Sequence, residues 1–402
     1  MEQRVQCCIA GGGPAGLMLG VLLARAGVSV AVLEKHCDFL RDFRGDTIHP
    51  STMQILHELG WLDAFLKLPH QAVRQLRGRF GDTTILLADL SHLAVAAPFI
   101  AMMPQWDFLN FLAEKGRQYP SFRLLMQTEA LGVVEKDGRI SGIRARTGAT
   151  EFVIEADLVI GADGRTSILR NAAGLTSQSF GAPMDVLWFR LPRLASDTAD
   201  TQGRFDAGRI FIMLNRGDYW QCAFVIPKDS DAQVRAAGLA AFQSSVGSLL
   251  PFDAARAGAI RNFDDVKLLV VQVDRLTTWW RSGLLCIGDA AHAMSPVGGV
   301  GINLAIQDAV AAANLLAAPL RENRLNDSDL AAVQRRRDWP TRATQRLQLA
   351  MQNTIIAPAL KSREKVKPPL VVRIVTGIPV LNRLPPRLLG LGFRPEHVKS
   401  AV

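Results

Sequence analysis

The sequence predicts an α/β nucleotide-binding fold that accepts an inserted, mainly antiparallel sheet and ends in a helical C-terminal region. Three stretches predict it: Gly11-Gly12-Gly13-Pro14-Ala15-Gly16 near the start, Asp157-Leu158-Val159-Ile160-Gly161-Ala162-Asp163-Gly164 in the middle, and Gly288-Asp289-Ala290-Ala291-His292 far downstream. Each follows or contains a short apolar run and turns on glycine. Strand-like alternation dominates between the second and the third, so the nucleotide-binding elements come in two pieces around an insert.

The first stretch is a complete unit by itself. Residues 5–10 are a short apolar strand, and Gly11 to Gly16 match G-x-G-x-x-G. Gly11 permits the tight turn, Gly13 lets the backbone approach a pyrophosphate, and Gly16 lets the next helix pack close to the sheet. Pro14 and Ala15 open that helix, which runs to about residue 26 and offers unpaired amides and a positive dipole end to phosphates. Residues 28–33 form a second strand, and Glu34 falls at its tip, 18 residues after Gly16 and just before Lys35. A carboxylate there accepts from a ribose 2′-hydroxyl. The unit is therefore Rossmann-like.

Helical periodicity is expected over 50–59, 104–119, 232–246 and 300–316, and strands over 73–80, 83–87, 186–191, 209–214, 219–226, 266–273 and 284–287. Residues 123–127, 130–136, 140–146 and 152–154 alternate like a small antiparallel sheet, with Asp137-Gly138 as a hairpin turn.

The middle stretch continues as Asp163-Gly164-Arg165-Thr166-Ser167-Ile168-Leu169-Arg170, and the last is followed by Pro296, Gly298, Gly299, Gly301 and Asn303. Together the three motifs resemble the FAD-binding fold of the aromatic-ring hydroxylases, the class A flavoprotein monooxygenases. The resemblance implies one non-covalent FAD. It sets Asp163, Gly164 and Arg165 near the pyrophosphate and the reducing nucleotide, and Gly288 and Asp289 at the ribityl chain. Pro296, Gly299, Val300, Gly301, Ile302 and Asn303 would meet the pyrimidine edge of the flavin. Reduced flavin is anionic on that edge, and a helix N-terminus stabilises negative charge. Arg44 occupies the place of a loop arginine that meets the pyrophosphate or the ring, and Gln105 that of a polar residue facing the adenosine or ribityl part.

The family's reaction is hydroxylation of an electron-rich aromatic through a flavin C4a-hydroperoxide, with NADH or NADPH as transient reductant and O2 as co-substrate. No second dinucleotide fingerprint exists to hold the nicotinamide. The expected substrate is an apolar aromatic or polycyclic small molecule, and Phe189, Phe211, Met213, Trp220, Phe224 and Met103 are candidates for its pocket, although at strand spacing such residues are more often core. No side chain is required as nucleophile. His49 and His292 are the candidates for acid–base roles, with a structural hydrogen bond as the plainer reading of His292 and a helix-start position as that of His49. Only Tyr119 and Tyr219 are available for a tyrosine relay, and neither lies in a site motif. Two other readings stay open: an FAD-dependent reductase of a lipid or isoprenoid double bond, and a non-catalytic flavin-binding module. The halogenase signature is missing at Trp279-Trp280-Arg281-Ser282.

These motifs divide the chain into an FAD-binding domain at 1–180, with about 71–99 contributing to the substrate sheet, a substrate domain at 181–274, the rest of the FAD-binding domain at 275–345, and a basic, apolar C-terminal segment at 346–402. A chain of 402 residues with 49% hydrophobic and 21% charged residues has ample core for two packed regions. Five cysteines in no metal or disulfide spacing fit a reducing cytoplasm, and no metal site is expected. The uncharged run 5–24 reads as the nucleotide-binding unit rather than a signal or a membrane span, and no other spanning stretch is expected. Net charge is +9, of which +7 lies in residues 361–402. That tail suits contact with an acidic membrane surface, or packing on the body or on a dimer mate; packing is the expectation. Nothing interleaves aromatics with a basic patch, so nucleic acid is not expected as a partner. Monomer and homodimer both stay open.

Overall fold

The computed structural model describes residues 3–40, 47–198 and 201–400. Strand β1 (Gln3–Ala10) leads through the glycine turn into helix α1 (Pro14–Arg25) and back as β2 (Val30–Leu33). The two strands pair in parallel, Cys7 opposite Val30 and Ala10 opposite Leu33. Nearly continuous apolar sequence suits them, because both faces of the sheet are covered. Then come β3 (Thr47–Ile48), α2 (Pro50–Glu58), the hairpin β4 (Gln75–Phe80) and β5 (Thr83–Asp89), β6 (Ile100–Met102), α3 (Gln105–Arg117) and β7 (Phe122–Leu125).

Strands β8 (Thr128–Lys136), β9 (Arg139–Thr147) and β10 (Thr150–Gly161) follow. The start of β10 pairs antiparallel with β9, while its end, from Ile154 to Gly161, lies parallel to β1. A short helix α4 (Ile168–Ala172) precedes the second sheet, which takes β11 (Met184–Pro192), β12 (Gln202–Asp206), β13 (Arg209–Asn215) and β14 (Tyr219–Pro227), with α5 (Leu239–Gly247) against it and β15 (Lys267–Leu269) at its edge. The chain then returns through β16 (Trp280–Arg281), β17 (Leu284–Cys286), α6 (Gly301–Arg321) and α7 (Asp327–Met351), and closes with α8 (Leu370–Gly377) and α9 (Leu384–Gly390).

The first sheet runs β16-β17-β10-β1-β2-β7, with β9 and β8 branching from β10. The second runs β15-β11-β14-β13-β12-β4-β5 and is antiparallel except where β12 meets β4. This is the expected class: a Rossmann-like α/β fold with an inserted, mainly antiparallel sheet and a helical C-terminal region.

Several details differ from the sequence reading. The helix expected over 232–246 is two helices, Asp231–Ala236 and α5, because Gly238 takes φ +89° between them. Helix α7 was not anticipated, and the expected boundary at 345/346 falls inside it. It starts with a capping box, Asn326 with Asp329, and presents Arg337, Thr341, Gln345 and Gln348 to the interior, a polar buried face that hydrophobic periodicity does not reveal. The stretch Val297–Arg321 is long and apolar enough to span a membrane, contrary to expectation, but most of it is buried inside the fold. Cys7, Cys8, Cys222 and Cys286 are free and buried, and burial pushes the Cys8 thiol up to about 12; Cys37 is exposed.

The two faces of the second sheet have different neighbours. Phe189, Phe211, Met213, Trp220 and Phe224 share the face that packs on α5, where Phe242 meets Phe189 at 5.5 Å and Phe224 at 5.6 Å in edge-on geometry. They are core, and Met103 lies in the core of the first domain. The opposite face carries Trp188, Ile210 and Ile212 and packs toward Val297, Leu360 and Leu389. In the tail, Leu388 and Leu389 are half-buried, but Leu370 and Val371 are exposed, so α9 packs on the body of this chain and α8 does not.

Candidate cofactor site

The glycine turn is built by close approach of backbones. Gly11 sits at φ +107°, and a Cβ there would collide with the carbonyl of Ala162 at the end of β10. A Cβ on Gly16 would strike the carbonyl of Gly11. Gly13 is different: a Cβ would meet no heavy atom of the described residues within 4 Å, which leaves room there for a ligand. No side chain caps the start of α1, and Pro14 stands in its first turn with Ala15 and Gly16. An uncapped helix end beside an open backbone suits a pyrophosphate. Glu34 is buried at the tip of β2, its Oε2 accepting from the Gly12 amide at 3.2 Å and its Oε1 from the His36 amide at 3.0 Å. A Cβ on Gly12 would lie 2.9 Å from that of Glu34, a constraint the sequence reading missed although Gly12 stands inside the motif. Lys35 is exposed just beyond.

The second motif is occupied with itself. The Asp163 carboxylate takes the Ser167 hydroxyl at 2.5 Å and the amides of Ile168 and Leu169 at 2.8 and 3.2 Å, holding the start of α4 rather than facing outward. The Arg170 guanidinium donates to the carbonyls of Arg165 and Ala290. Arg165 Nε donates to Asp289 Oδ2 at 3.1 Å, which ties the second motif to the third. A Cβ on Gly164 would meet nothing within 4 Å among the described residues.

Behind the third motif lies a buried charge network. The Gly288 amide and His292 Nε2 both bond Asp308 Oδ2, at 3.1 and 2.6 Å, and Arg337 Nε bonds Oδ1 at 2.9 Å. Burial raises the Asp308 carboxyl, but the His292 imidazole and the Arg337 guanidinium outweigh burial and hold it below the usual carboxylate range. Arg337 also reaches Glu396 Oε1, and Arg336 donates to both oxygens of that carboxylate. His292 is therefore a structural donor, enclosed beside Trp279 at 4.9 Å. Asp308 escaped the sequence reading, yet it left a signal: it is the single Asp, Glu, Lys or Arg among residues 290–320.

The start of α6 has no side-chain cap, so the amides of Gly301, Ile302 and Asn303 are free of that kind of partner beside Val300. The Asn303 side chain faces inward: its Oδ1 accepts from the His49 amide at 2.9 Å and the Thr52 hydroxyl at 2.8 Å, and its Nδ2 donates to Thr47 O at 3.3 Å. Thr47 also donates to Gly299 O at 2.9 Å, and a Cβ on Gly299 would lie 2.6 Å from the Thr47 hydroxyl. These bonds pin the loop that follows Pro296. His49 is fully buried, its Nδ1–H donating to Leu389 O at 2.7 Å, and burial pushes it down to about 4. Both histidines thus hold structure. Gln105 is half-buried as the first residue of α3; Arg44 lies outside the described residues.

The open Gly13 cradle, two uncapped helix starts and the buried Glu34 acceptor fit a flavin dinucleotide laid from α1 toward α6. The family model described as FAD binding domain matches residues 4–347. The 6-methylpretetramide 4-monooxygenase of Streptomyces rimosus is 34% identical over 369 residues, spanning 90% of this chain and 86% of that protein. The solved structure of the anhydrotetracycline hydroxylase OxyS from Streptomyces rimosus is similar with a TM-score of 0.75 at 20% identity, over 96% of this chain and 76% of that one. PqsL, a probable FAD-dependent monooxygenase from Pseudomonas aeruginosa, gives 0.72 at 22% identity, over 90% and 98%. The two structures share the fold; the matched domain and the 34% identical relative carry the assignment. The chain belongs to the FAD-dependent aromatic-ring hydroxylases, the class A flavoprotein monooxygenases.

Proposed function

We propose that this FAD-dependent monooxygenase hydroxylates an electron-rich polycyclic aromatic held between the α6 glycine loop and the inner face of the second sheet. The carrying observation is the apolar wall facing that loop, in which Trp188 and Ile212 join Val297 of the loop and Leu389 of α9. A flat apolar ligand suits such a wall. Relatives named for 6-methylpretetramide and anhydrotetracycline support a multi-ring substrate.

When bound, FAD supplies electron transfer from NADH or NADPH and the activation of O2. The protein's part is to bind, orient and exclude water. Amides around Gly13 and the α1 start would hold the pyrophosphate, and Glu34 would accept from the ribose. Asp289, paired with Arg165, would hold the ribityl chain. The α6 amides stabilise negative charge on the pyrimidine edge, and the apolar wall keeps water from the reacting ring. Tyr119 packs against the first core and Tyr219 lies beneath the Arg190 guanidinium at 4.9 Å, which gives no support to a tyrosine relay at the loop.

Labelled oxygen gas tests the reading. With a turned-over polycyclic substrate, the product gains one labelled oxygen atom and NAD(P)H oxidation accelerates. Equal turnover without oxygen would replace hydroxylation by double-bond reduction.

A further inference from the structure

We propose that the segment 370–384 is a docking surface for anionic lipid membranes. Helix α8 has no buried residue. Leu370, Val371 and Ile374 fall on one side of it, and Ile378, Val380 and Leu384 continue the apolar strip, all exposed, with Leu370 at 69% and Val380 at 77%. Soluble monomers rarely leave so many large aliphatic side chains together in water.

The surface is held out rather than loose. The Val366 carbonyl lies close against Gly81, Lys365 pairs with Asp82 at 2.7 Å, and α9 packs Leu389 against Gly298 of the cofactor loop. The strip is therefore fixed to the edge of the second sheet, beside the apolar wall.

Charge chooses the occupant. Residues 361–387 contain seven Lys or Arg and one Glu, and all of these charged side chains are exposed. A second copy would bring the same positive strip face to face with itself, and like charges at contact repel. An anionic bilayer offers both an apolar interior for the aliphatic side chains and a negative surface for the cations, which act within a Debye length of about 10 Å at 0.1 M salt. Docking there would set the wall that receives an apolar substrate next to the lipid.

Flotation of the FAD-loaded full chain with vesicles decides it. The protein should float with phosphatidylcholine vesicles containing phosphatidylglycerol, and bind pure phosphatidylcholine or high-salt samples about tenfold more weakly or worse. The double variant Val371→Asp, Ile374→Asp should lose at least about tenfold in binding while keeping flavin content and oxygen-dependent activity in detergent-free buffer. Val380→Ser removes only an exposed side chain, cannot disturb the core, and should weaken flotation measurably if the first variant folds poorly. Absence of flotation by the flavin-loaded protein overturns the proposal, as does undiminished flotation of the folded variants. Loss of a dimer in sedimentation velocity with the double variant, without any lipid binding by the parent, assigns the strip to a second copy instead.

Discussion

Gly13→Ala separates cofactor binding from folding. Gly13 has φ −77° and ψ −176°, a conformation that alanine adopts without strain, and the added methyl meets nothing within 4 Å among the described residues. The flavin-free protein should therefore be unchanged or more stable by about 0.4–1 kcal/mol, because alanine restricts the unfolded chain. With FAD bound as proposed, the methyl would occupy space that a phosphate oxygen needs at the turn. Losing one or two hydrogen bonds to a charged group costs about 1.5–3 kcal/mol each, which raises the FAD dissociation constant by roughly tenfold to several-hundredfold or more. Gly16→Ala is the control: its methyl strikes the Gly11 carbonyl, and backbone against backbone cannot yield without moving the turn. That variant should lose about 1–3 kcal/mol with or without FAD. Flavin fluorescence titration of the stripped protein and thermal unfolding read the two effects separately. Wild-type FAD affinity in Gly13→Ala would remove the pyrophosphate from this turn. Equal destabilisation of both flavin-free variants would make the turn a packing device only.

Three further outcomes are expected. His49 is driven down to about 4 by burial, so between pH 6.5 and 4 the unfolded chain binds a proton that the folded chain refuses. Stability should rise with pH across that window by about 3 kcal/mol in urea unfolding, and His49→Gln should remove that part of the slope. Glu34→Arg should weaken FAD binding, since it replaces an acceptor of ribose hydroxyls by a donor-only cation; normal affinity by titration would make Glu34 a backbone clamp alone. Trp188→Ala should raise KM for a polycyclic substrate and increase unproductive NAD(P)H oxidation with FAD retained, whereas Phe211→Ala, on the α5 face, should cost about 3–5 kcal/mol of stability and leave substrate preference intact.

What the sequence made legible was local. Gly11 and Gly288 take positive φ, and a side chain on Gly16 would strike the Gly11 carbonyl five residues back, so the motif itself shows a need for glycine at each. The side of a strand is a different matter. Phe211 and Ile212 are both apolar, and the two-residue alternation shows that they point apart without showing which points at the flavin loop. The aromatic face is a candidate pocket by its rings and core by its strand spacing; packing gives the rings to α5 as core and leaves Trp188 and Ile212 toward the loop. Helix α7 was illegible for the converse reason. Its buried face is polar, and Arg337, Gln345 and Gln348 are tolerable inside only because Asp308, the Ala293 carbonyl and the Ser295 backbone receive them. No periodicity announces a residue whose burial depends on a partner far along the chain. Asp308 marks where such reasoning gains purchase, since a lone carboxylate in a long uncharged run must find cations if it is buried, and the arginines at 335–337 are an obvious source. The proposed flavin contacts and their supports therefore differ in kind. The first are legible as glycine geometry, and the second only as a charge that demands a counter-charge.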